Sequence, residues 1–230
     1  SYMNNLLKGI EQIMSQEGYL VTFHNSMGSN TNERKIINDI VKKGSSGIIL
    51  YPNDTAMNTN LYSKLINENF PIVSIDRTLA NLRTPHVSVD NYKSFYIMTK
   101  HLLDLGHRNI TFVATSLYSI SSELDRYRGF CQACSDAGVS LSDNHLFYMK
   151  NILDLPENYR LDNETYSEAI SYIIGKILSN PKESRTSAIA CVNDEIARLI
   201  MKELLHRGIH IPKEIAITGF DDLFHIRNFR

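Results

Sequence analysis

Polar side chains able to bind or react recur in this 230-residue chain at one kind of place, just beyond short apolar runs. Asn25 and Ser26 follow residues 19–23, Tyr51 and Pro52 follow 47–50, Asp76 and Arg77 follow 71–75, and Asp90 follows 87–89. Ser116 follows 109–114, Lys150 follows 145–149, Asn193 and Asp194 follow 187–192, and Asp221 and Asp222 follow 214–218. Carboxylates, amides, hydroxyls and an aromatic in such places suit a polyhydroxylated ligand, because one Asp accepts from two vicinal hydroxyls. They equally suit a plainer duty. Asp and Asn cap helices, and for Asn193, which stands directly before a helical stretch, capping alone suffices.

Other chemistries lack their residues. There is no GxxxxGK[ST] and no GxGxxG, so nucleotide binding through a phosphate loop or a Rossmann turn has no support. Cys131-Gln-Ala-Cys134 is a C-x-x-C pair, yet it falls inside a helical stretch and no second pair completes a zinc site. Two helix-packed thiols are the expectation. Eight His are scattered without HExxH spacing, and no GxSxG elbow is present. No metal, no cofactor and no enzymatic activity are therefore expected.

The elements that must position the polar residues follow from hydropathy. Helical spacing marks residues 6–17, 31–43, 61–69, 91–105, 122–137, 164–178 and 193–207, several closed by Gly as helix stops. Between them, residues 19–23, 47–51, 71–75, 87–89, 109–114, 145–149, 187–192 and 214–218 read as strands. Regular alternation of strand and helix predicts βαβ units, parallel sheets and ligands beyond the carboxyl ends of the strands. Strands apolar on both sides, such as 47–50, predict sheets covered on both faces. Pro85 and several polar residues interrupt the alternation over 79–90, predicting two α/β halves, residues 1–89 and 90–230, with a cleft between them.

Composition narrows the class. Hydrophobic residues make up 43% of the chain, and 11 Gly with 6 Pro exclude collagen-like and low-complexity readings. Lys+Arg 24 against Asp+Glu 25 leaves a net charge of -1, so this chain alone is not expected to hold nucleic acid. No run of about 18 apolar residues reads as a membrane span, and the first residues lack the pattern of a signal peptide. Three Cys, an odd number, point to a reducing cytoplasm rather than a disulfide scaffold.

At this point specific segments are recognisable. His101-Leu-Leu-Asp-Leu-Gly-His-Arg-Asn-Ile-Thr-Phe-Val113 resembles the "HLxxLGHRxIxFx" segment of the lactose-repressor/galactose-repressor (LacI/GalR) regulators. Gly9-Ile10 with Gly18-Tyr19 resembles "GIExxxxxxGY", and Gly47-Ile-Ile-Leu resembles "DGIIL" with Ser46 in place of Asp. Pro71-Ile-Val-Ser-Ile-Asp-Arg77 resembles "PVVxIDR", Val89-Asp-Asn91 "VDN", and Arg126-Tyr-Arg-Gly-Phe130 "RxxGF". Ala190-Cys-Val-Asn-Asp-Glu195 resembles "xxANDxxA", and residues 211–222 resemble "VPxDISVxGFDD". These segments stand in family order over nearly the whole chain.

The resemblance implies a periplasmic-binding-protein-like fold of type I, two parallel-sheet α/β subdomains closing on a small molecule. Against the family pattern, the first strand and the closing return of the 1–89 half, and the end of the 90–230 half, are expected to lie outside this sequence. Carried over residue by residue, the resemblance makes Arg126 the effector-contacting arginine, Asp221 the hydroxyl-binding aspartate, Asn193 the cleft asparagine and Asp76 the strand-end aspartate. Ser122 matches a cleft serine, and Phe147 falls where an aromatic stacks on the effector. Ser26 and Tyr51 join them as strand-end candidates. Trp is absent, so stacking on a sugar face falls to Tyr or Phe.

The expected function is that of a ligand-sensing domain in a cytoplasmic, homodimeric transcriptional regulator. A sugar or sugar derivative would close the cleft, and DNA would be held only by a helix-turn-helix segment that this sequence lacks. The alternative is a periplasmic or lipoprotein sugar-binding protein of a transporter, which shares the fold. The "LGHR" and "GFDD" segments and the free cysteines favour the regulator.

Overall fold

The structure, a computed structural model, describes residues 2–54, 56–116, 119–155, 161–181 and 184–222. The residues up to 87 carry helices α1 (Tyr2–Gln16), α2 (Asn30–Lys42) and α3 (Thr59–Asn67), with strands β1 (Ile48–Leu50), β2 (Ile72–Ile75) and β3 (His86–Val87). Then come α4 (Asn91–Asp104), β4 (Ile110–Ala114), α5 (Ser121–Asp136), β5 (Leu146–Tyr148) and α6 (Met149–Ile152). The order ends with α7 (Asn163–Ser179), β6 (Ala188–Cys191), α8 (Asp194–His206) and β7 (Ala216–Thr218). Helix starts are fixed by side-chain caps. Ser29, Asp90, Asp162 and Asn193 each accept a hydrogen bond from a backbone N–H in the first turn of α2, α4, α7 and α8, satisfying donors the helix itself leaves open.

All strand pairings are parallel. One sheet has the order β1-β2-β3, the other β5-β4-β6-β7. Each sheet has its own core. Ile37, Leu50, Leu61, Tyr62, Leu65, Ile72 and Leu79 pack the first. A larger cluster around Phe95, Phe112, Phe130, Ile173, Ile189 and Ile200 packs the second, and β4 is buried along its whole length. Within the second sheet the chain moves from β4 outward to β5, then returns across β4 to β6. That reversal makes a crevice at the carboxyl ends of β4 and β6, where a doubly wound sheet receives ligands.

Two expectations are corrected. Residues 19–23 form no strand; no strand among the described residues runs beside them, and Leu20 is 93% exposed. An apolar run needs a neighbour to receive its backbone hydrogen bonds before it becomes a strand. The apolar β1 is likewise covered on one face only among the described residues, with Leu50 buried and Ile49 exposed. Helix α6 begins at Met149, which the pattern assigns to the end of the strand 145–149; at four residues it is too short to show a period.

Candidate functional site

Arg126 organises the site. It lies in the second turn of α5, and α5 can approach α4 closely because residue 129 is Gly. A Cβ there would stand 2.2 Å from the Tyr92 carbonyl oxygen and 2.9 Å from the Tyr96 nitrogen. One turn before that contact, the Arg126 side chain crosses the crevice, 6% exposed. Its Nε donates to Asn91 Oδ1 at 2.8 Å and its Nη1 to the Val192 carbonyl at 2.6 Å, at the end of β6. The guanidinium carbon lies 3.9 Å from the Phe220 ring centroid, a cation–π arrangement. Nη2 faces Asp221 Oδ1 at 3.7 Å, an ion pair too long to be a hydrogen bond.

Asp221 follows β7 with φ 96°, outside the region a side-chain-bearing residue adopts without strain. Desolvation is the main influence on its carboxyl, raising it to about 6, with Arg126 opposing and Asp194 and Asp76 reinforcing. Asp76, 8% exposed, also has a left-handed backbone, φ 62°. Its Oδ2 accepts from Ser122 Oγ at 3.3 Å, and the Thr78 N–H donates to Ser121 Oγ at 2.9 Å. These two bonds join the strand ends of the first sheet to the start of α5. Buried Glu123 holds the loop that leads there, its Oε2 accepting from the Thr115 and Ser116 N–H groups at 2.9 and 3.1 Å. Burial pushes this carboxyl up.

Opposite stands Tyr51, beneath the Arg77 guanidinium at 4.5 Å. Its hydroxyl is pushed up to about 12 by burial, and it senses the charges of Arg77, Asp76, Arg126 and Asp221. Arg77 Nη1 donates to the carbonyls of Pro52 and Asn53, while its buried Nε has no hydrogen-bond partner among the described residues. Ser26 is tied in at one remove: its Oγ accepts from Asn53 Nδ2 at 2.8 Å, and the Asn53 N–H donates to the buried carboxylate of Glu33 at 2.8 Å. Glu33 also accepts from Asn58 and from the Tyr62 hydroxyl.

Tyr51, Asp76, Ser122, Arg126 and Asp221 thus converge. Asn193 sits beside them at the end of β6, but its Oδ1 accepts from the Ile196 N–H at 2.9 Å, the capping duty. Phe147 lies mid-strand in β5, opposite Val113, packed against the larger core and one residue short of the strand end. Of the thiols, Cys134 is buried and pushed up to about 12, while Cys131 is half-buried. Sequence reasoning passed over Asn91, Phe220 and the full role of Arg77. Each stands inside a quoted motif, "VDN", "GFDD" and "IDR", and that adjacency was the available signal.

Several comparisons bear on this geometry. The model of a family described as periplasmic binding protein-like domain matches residues 99–228. Over 223 residues the chain is 27% identical to the arabinose metabolism transcriptional repressor of Geobacillus stearothermophilus, covering 95% of this chain and 57% of that protein. The chain therefore spans little more than half that relative's length. Its fold is similar to the crystal structure of a regulatory protein of the LacI family from Chloroflexus aggregans, with TM-score 0.78, 21% identity, and 99% and 75% of the two chains covered. It is also similar to a LacI family transcriptional regulator from Lactobacillus casei with bound glucose, with TM-score 0.73, 16% identity, and 97% and 77% covered.

Proposed function

We propose that this chain, which belongs to the periplasmic binding protein-like domain family, is the effector-binding part of a LacI/GalR regulator and senses a neutral sugar to control transcription. The observation that carries this reading is the 3.7 Å separation between Arg126 Nη2 and Asp221 Oδ1. One ligand hydroxyl about 2.8 Å from each can bridge them from the open side, accepting from the guanidinium and donating to the carboxylate. Asp76 and Ser122 supply a second acceptor and a hydroxyl across the crevice, and Tyr51 supplies an aromatic face. A sugar offers such paired donor and acceptor oxygens around an apolar ring face. Glucose is bound in the Lactobacillus casei regulator and arabinose metabolism is the process named for the Geobacillus repressor, which supports a monosaccharide here.

Binding draws the two strand-end rims together and changes the relative setting of the halves 1–89 and 90–230. In the whole regulator that change passes to DNA-binding segments outside these residues, arranged in a cytoplasmic homodimer that reads paired half-sites. No bond is made or broken. Calorimetric titration with L-arabinose, D-ribose, D-galactose and D-glucose tests the reading. Saturable binding of at least one, weakened by Asp221→Asn and by Ser122→Ala, is the expected result. Failure of all four to bind, or affinity indifferent to both substitutions, overturns it.

A further inference from the structure

The Arg126 guanidinium is held on three sides before any ligand arrives. Asn91 takes the Nε edge at 2.8 Å, the Val192 carbonyl takes Nη1 at 2.6 Å, and the Phe220 ring lies against the flat face at 3.9 Å. One of these three supports comes from α4 directly, and a second, Phe220, is backed by the same helix face. Asn91 and Phe95 are four apart on α4, so their side chains stack on the same side. Phe95 in turn stacks on Phe220, with ring centroids 6.1 Å apart and 29° between planes, and its other neighbour is Phe112 of β4 at 5.5 Å. The α4 face therefore sets both the edge and the plane of the guanidinium. Asn91 also reaches backward. Its Nδ2 donates to the Val89 carbonyl at 3.3 Å and its backbone N–H to the same oxygen at 2.9 Å, in the segment connecting β3 to α4.

We propose that Asn91 is the positioning residue of the effector site: by fixing Arg126 Nε, while the Val192 carbonyl takes Nη1, it aims Nη2 at a ligand oxygen beside Asp221, and it ties that edge to the chain segment crossing between the two sheets. An arginine has several rotatable bonds, and ordering it at the moment of binding costs affinity that preorganisation avoids. Buried Asn91, 5% exposed, removes that cost in advance. A flexible Arg126 would also meet hydroxyls at more than one angle, so Asn91 sets which ring positions are accepted.

This inference rests on the sugar-sensing reading for its effect on affinity, but not for its geometry, and the tests separate the two. In the ligand-free 230-residue protein, nitrogen-15 NMR of arginine Nε–H groups reads the hydrogen bond directly, the Arg126 signal being assigned by its loss in Arg126→Lys. The signal is expected in the parent and in Asn91→Asp, which keeps the acceptor oxygen, and is expected to be lost to solvent exchange in Asn91→Ala. Should Asn91→Ala not fold, Asn91→Gln, which displaces the amide by one methylene, takes its place. With whichever of L-arabinose, D-ribose, D-galactose and D-glucose binds best, Asn91→Ala is expected to weaken affinity about ten- to one-hundred-fold. Asn91→Asp should stay within about three-fold of the parent, a rescue that a merely structural asparagine would not show. A persistent Nε–H signal in Asn91→Ala overturns the proposal, as does unchanged affinity alongside a lowered melting temperature. If no sugar binds, or if Arg126→Ala leaves affinity intact, the sensing reading fails instead, and the NMR signal still decides whether Asn91 holds Arg126.

Discussion

One carboxylate and one guanidinium carry most of what can be measured at single residues. Asp221 has an ordinary value of 3.8 that burial raises to about 6. The folded state therefore holds its proton more tightly than the unfolded chain, so its contribution to stability is greatest at low pH and is lost as pH rises from about 4 through about 6. Sugar binding runs the other way, because a hydroxyl donates to the ionised carboxylate. Affinity is expected to rise roughly ten-fold between pH 5 and pH 7, and Asp221→Asn should flatten the profile in titrations at several pH values. A flat profile in the parent would mean that Asp221 does not accept from the ligand. Arg126→Ala removes a donor from two buried acceptors as well as from the ligand. It should weaken binding by roughly 2–4 kcal/mol and stability by about 1–3 kcal/mol, read by calorimetry and by thermal melting. Arg126 thus braces the end of β6 and the start of α4 whether or not it also binds a ligand, since Asn91 and Val192 occupy donors that the sequence left unassigned.

At the scale of elements, the approach of α5 to α4 decides whether Arg126 reaches its partners at all. The space at Gly129 is closed by backbone, with the Tyr92 carbonyl oxygen 2.2 Å from where a Cβ would be, and backbone cannot yield as a flexible side chain can. Gly129→Ala gains helix propensity of about 1 kcal/mol, yet it must separate the two helices and strain a well-packed core. A net loss of about 1–3 kcal/mol is expected, with weaker sugar binding because Arg126, one turn away, is drawn off Asn91. Chemical denaturation together with titration checks this, and an unchanged or raised midpoint would show that α4 absorbs the added methyl. A small residue three positions after the arginine thus has a mechanical reason in this fold.

For the molecule as a whole, hydrogen bonds between the strand ends of one sheet and the α5 start of the other join Ser122 to Asp76 and the Thr78 N–H to Ser121 among the described residues. Such contacts form and break on small relative movements. A bound sugar bridging the rims is expected to slow amide hydrogen exchange at Thr78 several-fold while leaving Ile173 in the large core unaffected. Equal slowing at both sites would indicate general stabilisation rather than closure. With a net charge of -1 and no basic stripe, these residues by themselves are not expected to hold duplex DNA sequence-specifically. Nanomolar, sequence-selective retardation of DNA by this chain would contradict that.

Alternation of apolar runs with helical periodicity was enough to place α1–α5, α7, α8 and, among the described residues, the strands β1, β2 and β4–β7, with β3 met at Val87 alone, because local burial patterns are written in local sequence. It was also enough to predict that Asp76, Arg126 and Asp221 stand at strand ends or helix starts, where a parallel sheet presents its ligands. Alternation could not say whether residues 19–23 become a strand, since that depends on a neighbour and not on the run itself. Nor could it place Asn91 beside Arg126, 35 positions apart, or put Phe220 under the guanidinium. Those meetings depend on the packing of α4 against α5 and on the reversal of strand order around β4. Local pattern thus placed Asp76, Arg126 and Asp221 near the ends of their elements, whereas the packing of α4 against α5 and the return to β7 brought Asn91 and Phe220 onto the guanidinium, because contacts between residues far apart in the chain are written in no local run.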